Sequence, residues 1–175
     1  MQPYQPFQGV LLMPGRAPFG TVSPVTLPDG LPVAHIRWHN WSMRARFEIL
    51  DGAGAVELAH GGRQGMRRYQ VLGPREEPLL HLKLGLFSAA RRTTVTLPDG
   101  RVLSANGNWS GRRFAITDQS GLPVARIATT SGVFALRADS FAFELVAPVL
   151  SIVQAVGLAQ CMRAAVESAR RVASS

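Results

Sequence analysis

The chain has 175 residues, 46% hydrophobic and 17% charged, a balance that excludes a disordered or collagen-like polymer and suits one domain with a sizeable core. Nineteen Lys and Arg residues against eleven Asp and Glu give a formal charge of +8, which attracts phosphates at long range, although Lys83 is the only lysine. Cys161 is the only cysteine, which excludes an internal disulfide and a CxxC-type metal site.

The opening MQPYQPFQGVLLMPG lacks a basic start followed by a sustained apolar run, so it does not resemble a secretory signal, and a cytoplasmic location is expected. Residues 1–20 read as an N-terminal extension, with a single domain over 21–175. From there, short segments rich in Val, Ile, Leu, Phe and Thr alternate with turn residues. The first six strands are expected near 21–27, 32–38, 43–50, 55–60, 66–72 and 79–86. Six more are expected near 92–97, 101–106, 111–117, 122–128, 132–137 and 140–146. The intervening LPDG (twice), LDGAG, TDQSG and RADS place Pro, Asp and Gly where tight reversals need a fixed or positive φ.

Two halves are visible. Val25–Gly30 reads VTLPDG and so does Val95–Gly100, Trp41-Ser42 recurs as Trp109-Ser110, and FEILDGAGAVELAH from Phe47 is echoed by FAITDQSGLPVARI from Phe114. These matches imply a duplicated unit of about seventy residues, with repeat one over about 21–87 and repeat two over about 91–147.

From Pro148 the pattern changes to VLSIVQAVGLAQCMRAAVESARRVA, read as a helix over about 148–171 with Pro148 in its first turn. Its first turns are apolar on nearly every side, broken by Ser151, Gln154 and Gln160, so it expects burial all round. The 18 residues from Leu145 to Met162 include a proline and two glutamines and stop at Arg163, short of the roughly 20 predominantly apolar residues a bilayer span needs. The helix finds a better home inside the sheet: twelve strands closed into an antiparallel barrel leave a bore that one helix, about 10 Å across, can fill. The expected fold is mainly β, a 12-stranded closed antiparallel barrel of two six-stranded repeats enclosing the C-terminal apolar helix.

This layout, with the units RARFEILDGAGAVELAH and RRFAITDQSGLPVARI and the closing FAFELVAPVLSIVQAVGLAQ, resembles the Tubby C-terminal-like superfamily, which includes the LURP-one-related proteins and the phospholipid scramblases. The resemblance covers about Thr21 to Arg171 and implies a helix-filled barrel that binds lipid or membrane surfaces, as Tubby domains bind phosphoinositides. Scramblase-like members carry a long Pro-rich N-terminal region, a cysteine cluster and an acidic calcium segment. Here the N-terminal region is short, there is one Cys, and no acidic cluster stands beside the helix, so calcium-driven scrambling is not expected.

Catalytic patterns are weak. His35 and His39 have metal-ligand spacing only on a helix, and a strand does not make them a preorganised pair. Cys161 falls in the apolar helix, where an unpolarised thiol is a core residue, and His60 and His81 have no sequence-local carboxylate partner that fixes a role. We therefore expect no enzyme, no cofactor and no metal.

With strands alternating up and down, all five aspartates (Asp29, Asp51, Asp99, Asp118 and Asp139) gather at one end with Glu76 and Glu77. The other end collects His39, Trp41, Arg63, Arg67, Arg68, Arg91, Arg92, Trp109, Arg112 and Arg113. A basic rim bearing Trp41 and Trp109 suits peripheral binding to an anionic membrane surface. The bland reading is that Asp occupies turns for backbone reasons and the tryptophans belong to the core. The same charge could serve a nucleic acid, although no recognition helix or RNP-like strand is visible. A protein-interaction barrel is the third reading.

Overall fold

The computed structural model describes residues 2–15, 22–39, 46–85, 93–108, 113–128 and 140–173. Twelve strands form one closed antiparallel barrel: β1 Gly9–Met13, β2 Val22–Thr26, β3 Pro32–His39, β4 Arg46–Leu50, β5 Glu57–Arg63, β6 Arg68–Leu72, β7 Pro78–Lys83, β8 Thr93–Thr96, β9 Val102–Asn108, β10 Arg113–Thr117, β11 Pro123–Ala128 and β12 Phe141–Leu145. A single helix, α1 Ile152–Ala173, follows. Each strand pairs with its sequence neighbours, and β1 closes the ring by pairing with both β2 and β12.

Period-two alternation decides which side faces in. Ala34, Ile36 and Trp38 of β3 are buried, while His35 and Arg37 between them point outward. The same inward rows continue with Phe47 and Ile49, Tyr69 and Val71, Leu80 and Leu82, and Phe141 and Phe143. Outward positions carry cross-strand ion pairs such as Arg37–Glu48 and Arg126–Glu144. An apolar lumen inside a charged wall is the inverse of a transmembrane barrel. No helix among the described residues is long and apolar enough to cross a membrane.

The helix fills the bore. From Ser151 to Met162 every residue except Gln154 is buried, and the helix leans on β3–β7. Gly157 permits the approach: a methyl group there would come 2.7 Å from Val71 Cγ2. The polar helix residues anchor to the wall. Gln154 Nε2 donates to the Leu79 carbonyl at 3.1 Å, and Gln160 Oε1 accepts from Trp38 Nε1 at 3.3 Å.

Two expectations are corrected, and a third falls outside the described residues. Residues 9–13 do not belong to an extension: Gly9–Met13 pairs along its length with Leu145–Phe141, and Leu11 and Met13 enter the core. The GVLLM segment becomes a strand because β12 and β2 would otherwise both keep an open edge. Among the described residues β11 pairs directly with β12, and the strand expected over 132–137 lies outside them. The helix begins at Ile152 and not at Pro148, because Ser151 and Gln154 form a capping box. Ser151 Oγ accepts from the Gln154 amide at 3.2 Å, and Gln154 Oε1 accepts from the Ser151 amide at 2.9 Å.

Candidate functional site

The two ends of the barrel differ in how their charges are held. Connections after even-numbered strands share one end, and five of them repeat one hairpin geometry. In each, the first residue's amide bonds the carbonyl four residues on, or five on at Asp51, and the fourth residue's amide bonds back to the first carbonyl. The fourth residue has positive φ: Gly30 (88°), Gly54 (74°), Gly100 (84°), Gly121 (85°) and, in the fifth turn, Glu76 (62°). The two VTLPDG copies thus build the same turn.

The aspartates of this end are held by those turns. Asp51 Oδ1 accepts from the amides of Ala55 and Val56 at 2.8 and 3.2 Å, and Asp118 Oδ1 from the Ser120 hydroxyl and the amides of Ser120 and Leu122. Asp29 accepts from Leu31, and Asp99 from both the amide and guanidinium of Arg101. Such bonds favour the charged form. The Ala55 amide chiefly lowers the Asp51 carboxyl, the Arg101 amide that of Asp99, and the Ser120 hydroxyl that of Asp118. The backbone reading explains these four aspartates. Asp139, assigned to this end by way of the strand expected over 132–137, lies outside the described residues.

At the opposite end, β3 finishes with His39, β5 finishes with Arg63, Arg67 and Arg68 lead into β6, and β10 starts at Arg113. Trp41, Arg91, Arg92, Trp109 and Arg112 lie outside the described residues, as does the side chain of Arg113. The described members do different work. His39 Nε2 is 2.7 Å from Glu48, a carboxylate that also takes Arg37. Arg63 is a brace: its Nε donates to the Gly65 carbonyl at 2.8 Å, Nη2 to the Met66 carbonyl at 3.3 Å, and Nη1 to Ser168 Oγ at 3.5 Å. It ties the β5–β6 turn to the helix.

Arg68 is exposed and stands directly opposite Lys83 in the β6–β7 register, also exposed. Their inward neighbours Tyr69 and Leu82 are buried, so both cations project from the outer wall. Neither meets a carboxylate among the described residues. Lys83 was missed in the sequence because its place beside Arg68 depends on register, and the signal that sets it is the GPREE turn, which folds Leu72 onto Pro78.

The histidines separate. His35 Nδ1 lies 3.1 Å from the Asp51 carbonyl, whereas His60, expected to lack a sequence-local carboxylate, meets Glu57 three residues before it at 2.8 Å and also Glu76, in an outer-wall groove of about 750 Å³ that Arg46 and His39 also line. Among the described residues no group of three or more His, Cys, Asp or Glu is arranged to hold a metal ion. Cys161 is fully buried, burial pushes its thiol up, and its Sγ lies 3.9 Å from the Gln70 carbonyl.

No protein-family model matches the chain, and no curated protein matches it. The fold is similar to the X-ray structure of a protein from Arabidopsis thaliana, with TM-score 0.61 and 16% identity, covering 97% of this chain and 95% of that one. At that identity the likeness is one of fold alone.

Proposed function

We propose that this barrel works by binding and not by catalysis, attaching peripherally to anionic phospholipid headgroups through its cationic end. The observation that carries the reading is the Arg68–Lys83 pair. Like charges directly opposite across two strands cost about 0.2–1 kcal/mol, and an anion seated between them turns that repulsion into attraction. A lipid phosphate or carboxylate supplies such an anion, and a membrane presents many at once. The resemblance to the Tubby C-terminal-like superfamily adds support, since it implies the same ligand class on the same kind of barrel. The protein would then be cytoplasmic, where anionic leaflets face inward.

Co-sedimentation with phosphatidylcholine vesicles, with and without phosphatidylserine, at low and physiological salt tests the reading. Retention on the anionic vesicles alone, withstanding a nucleic-acid competitor, is expected, and Arg68→Glu with Lys83→Glu should remove it without unfolding the barrel. Equal retention on both vesicles, or none on either, rejects the reading. Release by the competitor with a steep salt dependence moves the cations to nucleic acid. A chain that ignores both leaves a protein partner, sought by pull-down.

A further inference from the structure

Between β5 and β6 the chain turns through Gln64-Gly65-Met66-Arg67 at the cationic end. Met66 at its tip is 83% exposed, more than any other large hydrophobic residue described. A lone exposed apolar side chain is ordinary, but three features set this one apart. The turn is pinned by the Gln64 amide to the Arg68 carbonyl at 2.8 Å. The Arg63 guanidinium holds two of its carbonyls and reaches the helix, so the tip is presented by a braced support. Arg68 and Lys83 stand just behind it.

We infer that, when the barrel sits on an anionic bilayer, the β5–β6 turn is the element that enters it, with Met66 below the headgroups and Arg68 and Lys83 at phosphate level. The inference rests on the headgroup-binding reading and deepens it. A flexible thioether suits the disordered acyl boundary, and an apolar tip in front of cations matches a surface whose charge lies above hydrocarbon. Arg63 acts in this arrangement as a positioning residue.

The test exploits the buried Cys161: in a Met66→Cys variant, position 66 carries the accessible thiol and takes an environment-sensitive fluorophore. On phosphatidylcholine–phosphatidylserine vesicles the label should shift to the blue and be quenched by lipids brominated along the acyl chain. Burying a methionine side chain is worth about tenfold or more in affinity. Met66→Asp should therefore weaken vesicle binding about tenfold with an unchanged thermal midpoint, and Met66→Leu should retain it. If the labelled protein co-sediments with the vesicles yet its emission neither shifts nor is quenched, the insertion is overturned and headgroup binding stands. If neither wild type nor variant co-sediments, both fall together.

Discussion

Asp51 at one end of the barrel and Arg68 at the other represent two kinds of surface charge. The Asp51 carboxylate completes its own turn by accepting two amides of the loop it starts, so its charge belongs to the fold. Arg68 completes nothing comparable: its cross-strand neighbour is Lys83, and the fold would be easier without one of them. Clustered charge is therefore a poor guide to function until the backbone's own demand for acceptors is met. After that subtraction the acidic end is explained and the cationic end is not.

The comparison can be broken or sharpened at four points. The largest effect comes from the helix that links the two ends. Val153 and Val156 are fully buried, so Val153→Asp or Val156→Asp places an unpaired carboxylate in the core. The cost is about 3–5 kcal/mol or more, and circular dichroism should show loss of cooperative unfolding. A stable variant would overturn the filled barrel.

Acid comes next. Asp51, Asp99 and Asp118 titrate below their unfolded value, so the stability they add is complete above the ordinary aspartate range near about pH 4 and is lost as pH falls through the lowered folded values. Thermal midpoints should fall in that acid window, and Asp51→Ala should lower the neutral-pH midpoint and flatten the acid slope while vesicle binding stays unchanged. Binding lost in Asp51→Ala would mean that the acidic end is not purely structural.

Glu76 occupies the position that glycine fills in the four sister turns. Glu76→Gly relieves a left-handed backbone worth about 1–2 kcal/mol while giving the unfolded chain more freedom. The expected net gain, about 0.5 kcal/mol, is readable in urea unfolding, and a loss instead would give the Glu76–His60 contact a structural weight that its exposure argues against. The smallest effect is the most telling. Lys83→Glu should stabilise the barrel by about 0.3 kcal/mol by pairing with Arg68, yet weaken vesicle binding. Such opposed signs are expected of a residue kept for function at the expense of stability.

The hairpins were legible because each tight turn carries its own chemistry, and the duplicated VTLPDG announced the geometry it adopts. The closing strand was not: GVLLM sits among prolines and has no hairpin partner near it in the sequence, and only the open edges of β2 and β12 call it into the sheet. The segment over 132–137 reads as a strand because Gly-Val-Phe-Ala-Leu has strand composition, and it lies outside the described residues. Pro148 misplaced the helix start because Ser151 and Gln154 counted as flaws in an apolar surface, although at that spacing they are its cap. At the site, Arg67 and Arg68 could be found from charge. Lys83 needed register, and Arg63, named from charge with the other two, needed the third dimension for its bracing role, since its partners are the turn and Ser168.

The pairing of β1 with β12 also sets an order of events during synthesis. Gly9 meets Leu145, so a growing chain can form hairpin after hairpin and still hold two raw sheet edges until the last strand, β12, has emerged. Closure joins the most distant parts of the chain and falls late, when the loop-closure entropy is greatest. Until then the nascent meander offers an edge to any other extended segment, including the same edge on a neighbouring copy. β1, Gly9–Met13, thus acts as a latch whose work is finished only when the ring is whole.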